Sequence, residues 1–404
     1  MQKGSSYLEL PLRDEARQAI ELAHQFADEV LAPTGRVLDR MATAEEVIAP
    51  DSPFWEVHEK YRQTGLAAVQ QEPSFTPSER ALVMAAVCEE LGRGDAGLAI
   101  SLGVAGFQRF FVPMTGDPEL IERFAAPSSK AIGCWAITEP DHGSDTLAIS
   151  EPGFENPGSK ANCVARRDGS DWVITGQKSA WVSNAPVADV ACLFCALEGG
   201  DSFAVGGVAV VPLDLPGVSR GKPLEKLGQR ALPQGELFFD EVRIPGRWMV
   251  VQEQAYKNTL EMVLALANAF MGSTFSGVAR SAFEHALGYA KERVQGGKVI
   301  FEHQSVRSRL FSMFRRVEAA TALSRRVHQL AALGGLAPPV QFSIASKTFC
   351  TQTAFEVASD AVQIFGANGL TREYPVEKIL RDARASMIED GCNEVLSLVG
   401  ASKL

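Results

Sequence analysis

Two short stretches of this 404-residue chain carry side chains and backbone suited to a flat, polar ligand. The first is CWAITEPDHGSD, residues 134–145. Pro140 and Gly143 make its backbone irregular, and Thr138, Ser144 and Asp145 place two hydroxyls and a carboxylate on it. Such a loop can aim backbone N–H groups at an anionic or electron-rich ligand, and it serves equally as a polar turn between two elements. The second is ITGQKSAWVSNAP, residues 174–186, where Thr175-Gly176-Gln177 reads as a tight turn. Beyond it Trp181 and Ser183 lie two apart on a strand and share one face. An indole beside a hydroxyl suits a planar heterocycle, although a strand tryptophan also serves as core.

Three zones must position these stretches. Residues 12–130 read as helical: ARQAIELAHQFADEVLAP repeats apolar residues at three- and four-residue spacing and is expected to stop at Pro33. ALVMAAVCEELGRGDAGLAISLGVA continues that pattern. Residues 131–250 change to short β-branched runs separated by Gly, Pro, Asn and Asp, which predicts a small β-barrel or sandwich. Helical periodicity returns near 255, with one long helix expected over 258–293 and more over 302–335, 338–366 and 374–400. Gly334-Gly335 and Pro338-Pro339 mark a helix–helix connection, and short loops of this kind predict an antiparallel bundle. The expected plan is α+β: an N-terminal helical domain (1–130), a middle β-barrel domain (131–250) and a C-terminal four-helix bundle (251–404).

Composition narrows the function. A net charge of −10 argues against a nucleic-acid partner, which usually meets a basic surface. The seven cysteines are scattered; Cys192 and Cys195 form a C-x-x-C inside an apolar strand with no second pair nearby, so buried reduced thiols are expected and no metal. A reducing compartment follows. The first residues lack the apolar core of a secretory signal, and the absence of an unbroken 18-residue apolar run predicts no membrane span. Ser402-Lys403-Leu404 matches a peroxisomal address; with no other organelle signal, a cytoplasmic location is expected.

Taken together, the segments resemble the acyl-CoA dehydrogenase superfamily. The first two match its signatures T-E-P-x-x-G-S-D and G-x-K-x-W-I-T-N, in order and at the expected distance. KLGQRALPQGELFFDEVRIP (226–245) looks like its K-x-G-x-R segment and the strand after it, and YAKERVQGGKVIFEHQ (289–304) like its Y-A-x-x-R-x-x-F-G helix end. DAVQIFGANGL, EYPVEKILRDAR and MIEDGCNE resemble its C-terminal run, so the likeness covers nearly the whole chain. The resemblance implies FAD as cofactor, an acyl-CoA substrate, an electron-transferring flavoprotein as electron acceptor, and a homotetramer or homodimer. It implies that Thr138 and Ser183 bond the isoalloxazine with Trp181 packed on it. Trp135, Ile137, Gly143, Ser144, Cys392 and Glu394 are the further cofactor contacts it implies. Arg293, Gln304, Gln363 and Gly366 would reach the FAD of a neighbouring subunit. Ser144, Asn268 and Gly391 would meet the substrate.

The departures from the family pattern bear on chemistry. The base is commonly the Glu of I-x-E-G-T; here Ile388-Glu389-Asp390-Gly391-Cys392 puts Asp390 at that place and Cys392 where Thr is usual. The alternative base position on the long helix is Ala267, its usual Arg neighbour is Asn268, and Gly296 replaces a Phe. The loop before residue 80 is abbreviated to QQEPSFTPSER, so part of the substrate wall should differ. The implied reaction is α,β-dehydrogenation: Asp390 takes the acidified α-proton while the β-hydrogen leaves as hydride to flavin N5. Burial should raise the Asp390 pKa. An Asp base fits an alicyclic or branched acyl group. The alternatives are a nitroalkane-oxidase-like flavin oxidase, which also uses an Asp base, and a non-catalytic FAD scaffold, against which the retained carboxylate argues.

Overall fold

A computed structural model describes residues 12–334 and 337–404. Helix α1 (Asp14–Phe26) buries Ala16, Ile20, Ala23 and Phe26 on one stripe, as its periodicity requires. It does not end at Pro33. A wide π-turn at Ala27–Leu31 leads into a further helical segment, Ala32–Asp39. Pro33 sits in the first turn of that segment, where a missing N–H is tolerated. Helix α2 (Pro53–Thr64) follows, and α3 (Pro77–Gly94) starts on a reciprocal cap between Thr76 and Glu79. Helix α4 (Ala96–Val104) is separated from α3 by Asp95, whose carboxylate accepts from Leu98 N. The apolar pattern running through both helices hides that corner.

The middle of the chain forms eight strands: β1 (Gly133–Ala136), β2 (Val164–Asp168), β3 (Asp171–Ser183), β4 (Val190–Leu197), β5 (Gly206–Pro212), β6 (Val218–Arg220), β7 (Gln234–Pro245) and β8 (Met249–Gln252). Their order is β6-β7-β3-β2-β4-β5-β8, with β1 added parallel to β4. This corrects the expected barrel, because no ladder joins β6 to β8 among the described residues. The sheet curls so that β3 and β7 share one core cluster with β4 and β5, but its edge strands are only three and four residues long. Strands that short supply too few ladder bonds to close a barrel. The turn expected at Thr175-Gly176-Gln177 is also absent. β3 runs through it, and register shifts against β7 at Ile174/Gly176 and Lys178/Val182 absorb the irregularity. Cys192 and Cys195 point to opposite faces of β4, into different clusters, and remain free. Among the described residues no group of metal-ligating side chains forms.

Helix α5 (Tyr256–Glu292) crosses the whole bundle, packed by α6 (Gln304–Gly334) and α7 (Val340–Phe365). The helical stretch read over 374–400 divides into α8 (Val376–Ser386) and α9 (Asn393–Ala401). Asp390 and Gly391, at φ +52° and +91°, form the break. Of the connection read at Gly334–Pro339, residues 335 and 336 lie outside the described part. By length and composition two helical stretches are apolar enough to cross a membrane, contrary to the sequence expectation: Ala96–Thr115 and α5. α5 owes its composition to its place, since 78% of its most apolar window is buried in the bundle.

Between α2, α4 and the sheet lies a buried polar relay. Asn184 Nδ2 donates to the Ser101 carbonyl, Ser101 Oγ donates to Asn184 Oδ1 at 2.8 Å, and so the hydroxyl accepts from His58 Nε2 at 3.1 Å. Burial pushes the His58 pKa down to about 4. The unfolded chain takes up a proton near pH 6.5 that the fold refuses, so stability falls as pH drops from about 6.5 towards 4. The loss expected is about 3 kcal/mol in total, at ~1.4 kcal/mol per pH unit. Denaturant titrations from pH 7 to 4.5 should show a drop in the wild type that His58→Gln largely lacks. Parallel curves would remove His58 as the cause.

Candidate active site

The two signature stretches are bound to each other by a buried ion pair. Lys178, 0% exposed on β3, donates to Glu139 Oε1 at 2.6 Å and to the Ile137 carbonyl at 3.0 Å. Glu139 also accepts from the backbone N–H groups of Asn162 and Cys163. Ser179 N donates to the Thr138 carbonyl at 2.9 Å. Thr138 is thereby fixed beside β3, four residues before Ser183. The rest of the loop is held by Asp145, whose carboxylate accepts from Gly143 N and pairs with His142 Nδ1. Trp181 is 57% exposed with Ser183 half-buried beyond it, so the indole offers an open face. Gln234 Nε2 donates to Ser183 Oγ at 3.1 Å and to the Trp181 carbonyl at 3.3 Å.

The loop between α8 and α9 meets the first signature loop. Cys392 N donates to Ser144 Oγ at 2.9 Å, which joins the first signature loop to the residues around Asp390. Gly391 is needed there for two reasons: its φ of +91° is left-handed, and an added Cβ would lie 2.8 Å from Leu396. Asp390 is itself left-handed, a conformation Asp tolerates better than most residues. Its half-buried carboxylate makes no hydrogen bond among the described residues. Burial raises its pKa, against a lowering by Lys347. Glu389 differs: Gln229 Nε2 donates to it, and burial beside Asp390 pushes it up to about 7. Gly228, in the K-x-G-x-R segment, lets that segment approach α8, since a Cβ would meet the Arg381 carbonyl at 2.3 Å. Lys226 Nζ donates to Gln234 Oε1 at 2.8 Å, linking the same segment back to Ser183.

Of the residues singled out in sequence, Ser144 and Cys392 share a hydrogen bond that brings Asp390 and Gly391 to the first signature loop, and Thr138 is fixed to β3 near Ser183. Trp135 and Ile137 turn to the other side of β1, against a cluster with Phe194 and Phe111. Trp135 nevertheless keeps a buried Nε1–H without a partner. Asn268 is fully buried on α5; its Nδ2 donates to the Leu264 carbonyl at 2.9 Å and its Oδ1 has no partner. Arg293, Gln304, Gln363 and Gly366 are exposed elsewhere. Tyr289 stacks on Phe365 at 4.0 Å, which sets the ends of α5 and α7 side by side and gathers Arg293, Gln363 and Gly366 there. Along α7 that end is 18 residues from Lys347, roughly 27 Å at 1.5 Å per residue. Glu394 is exposed on the first turn of α9. Sequence reasoning missed Lys178, Glu139, Gln229 and Lys347. Lys347 does leave a trace: a lone lysine among small and apolar residues in SIASKTFC.

A curled sheet between helical domains, with a partner-free carboxylate on a loop bonded to Ser144, is the arrangement to be compared with known proteins. The chain matches the acyl-CoA dehydrogenase middle domain over residues 134–242 and the acyl-CoA dehydrogenase C-terminal domain over 260–404. It is 32% identical over 403 residues to benzylmalonyl-CoA dehydrogenase of Aromatoleum aromaticum, covering 98% of this chain and 100% of that protein. Over 323 residues it is 30% identical to cyclohex-1-ene-1-carbonyl-CoA dehydrogenase of Syntrophus aciditrophicus, covering 79% and 75%. Its fold is similar to that of a glutaryl-CoA dehydrogenase from Mycobacterium smegmatis solved in complex with FADH2, with a TM-score of 0.79, 23% identity and coverage of 96% and 94%. The chain belongs to the acyl-CoA dehydrogenase family of oxidoreductases.

Proposed function

We propose that this protein is an FAD-dependent dehydrogenase of an acyl-CoA thioester with an alicyclic or otherwise bulky acyl group, and that Asp390 is its base. The observation that carries this reading is the Asp390 carboxylate: half-buried, raised in pKa, without a hydrogen-bond partner, on a loop tied to Ser144. The residues around it fit a flavin. Trp181 presents an open aromatic face, and Thr138 and Ser183 bring hydroxyls. When bound, FAD supplies the hydride acceptor. The protein's own part is to hold the thioester and remove its α-proton at Asp390 Oδ, a step made feasible when N–H donors polarise the thioester oxygen. The Asp390 N–H, held in the left-handed turn, is the donor we assign to that oxygen.

Arg293, Gln304, Gln363 and Gly366 lie too far from the base loop to serve the same flavin ring, so we assign them to the FAD of a neighbouring subunit. A homodimer or homotetramer follows from that assignment. Electrons then pass to an electron-transferring flavoprotein. The relatives named for benzylmalonyl and cyclohexene-carbonyl thioesters support a non-linear acyl group. So does the shorter base, whose carboxylate reaches roughly 1.5 Å less far than that of Glu.

The test is anaerobic stopped-flow flavin reduction with butyryl- to palmitoyl-CoA, cyclohexane-carbonyl-CoA, an arylalkyl-CoA and nitroalkanes. We expect a cyclic or aryl thioester to reduce the flavin at least about tenfold faster than any straight chain, because misplacement by ~1 Å can cost ~100-fold. Asp390→Glu should narrow that gap. Rapid reduction by all straight chains would make this an ordinary fatty acyl-CoA dehydrogenase. Reduction by nitroalkanes alone would make it an oxidase.

A further inference from the structure

The loop that carries Asp390 turns through two consecutive left-handed residues, and at Asp390, which is not a glycine, contacts from outside the loop help to hold that conformation. What fixes it lies on α7. Lys347 is 0% exposed, and its Nζ donates to the Gly391 carbonyl at 2.7 Å and to Asn393 Oδ1 at 2.9 Å. Asn393 is steered in turn by Thr351, whose Oγ1 accepts from Asn393 Nδ2 at 3.0 Å. The lysine therefore grips the loop on the residue after the base and on the first residue of α9. No carboxylate lies within ion-pair distance of its Nζ among the described residues. A buried ammonium satisfied only by a carbonyl and an amide is costly, and such a group persists where its charge acts on something nearby. The charged and titratable groups acting on it are Asp390, Glu389, Cys392 and Glu394, with Asp390 the strongest. Burial lowers the Lys347 pKa to about 8, so it is a cation at neutral pH. Glu389, which repels Asp390, is met by Gln229, Lys226 and Lys347, whereas the cation that acts on Asp390 among the described residues is Lys347.

We propose that Lys347 is a positioning residue for Asp390: its ammonium clamps the 390–393 turn from behind and sets a positive charge against the loop that carries the base. This rests on Asp390 being the base. Removing the charge should then do two separable things, disturb the turn and make Asp390 harder to ionise.

The experiment is the pH profile of flavin reduction in the FAD-loaded protein, with the acyl-CoA of the panel above that reacts fastest. Lys347→Gln keeps a donor and loses the charge; Lys347→Met loses both. In both, the acid limb should move up by about one pH unit, the change expected when a nearby opposite charge is removed. The plateau rate should fall less than tenfold in Lys347→Gln and about 100-fold in Lys347→Met, with KM changing far less than kcat. Asn393→Ala keeps the ammonium and loosens the turn, so it should lower the plateau severalfold and leave the acid limb in place. An unmoved acid limb in folded, FAD-loaded Lys347→Gln and Lys347→Met overturns the proposal. Should neither hold FAD, wild-type rates in Asn393→Ala would overturn it as well. Failure of the underlying reading looks different: wild type unreduced by every acyl-CoA, or Asp390→Asn as fast as wild type.

Discussion

Asp390→Asn is expected to keep its FAD, keep its fold and lose flavin reduction by about 10³-fold or more, at the upper end of what a positioned general base contributes. The attribution is clean for structural reasons. Asparagine tolerates the left-handed φ of +52° as well as aspartate does, and the wild-type carboxylate has no hydrogen bond to lose. Linkage sets the sign of the stability change. A buried carboxyl with a raised pKa disfavours the fold wherever it is ionised, so Asp390→Asn should melt at the same temperature as wild type or higher. In the wild type, reduction should be lost as pH falls through that raised pKa. Glu389→Gln is the control. Glu389 already accepts from Gln229, and the variant should retain reduction within about tenfold. Anaerobic stopped-flow on both variants decides it: a dead Glu389→Gln beside an active Asp390→Asn would move the base by one residue.

Lys178→Met should be the most destabilising single change in the site. It leaves Glu139 buried with two backbone donors and no cation, and breaking one side of a buried pair typically costs about 3–5 kcal/mol. It also frees the Ile137 carbonyl and with it the backbone that carries Thr138, so FAD retention should fall together with stability. The double variant Lys178→Met/Glu139→Gln removes the stranded charge and should recover part of the loss. Urea titration of the three proteins measures the coupling. If the double variant is as unstable as the sum of its parts, the pair contributes only packing.

Much of this site could be read along the chain because its parts are local. The signature loops are set by Pro, Gly and short polar side chains acting on neighbouring backbone, as Asp145 does on Gly143. The identity of the long helices follows from their apolar period, and the place of Asp390 from the residues on either side of it. The reading failed where distant segments decide. The turn seen at Gly176 is continuous strand because β7 pairs across it. The helical stretch read over 374–400 is interrupted at 387–392, and there Lys347, more than 40 residues earlier, donates to the Gly391 carbonyl and to Asn393 Oδ1. Sheet closure also lay beyond the pattern, since alternation shows which face of a strand is buried and not which edges meet. The same holds for Lys178 and Glu139, 39 residues apart, each a charge that sequence alone would leave in solvent. A buried ion is tolerated only when its counter-charge arrives from elsewhere in the fold, and that pairing exists only once the chain has brought the two together.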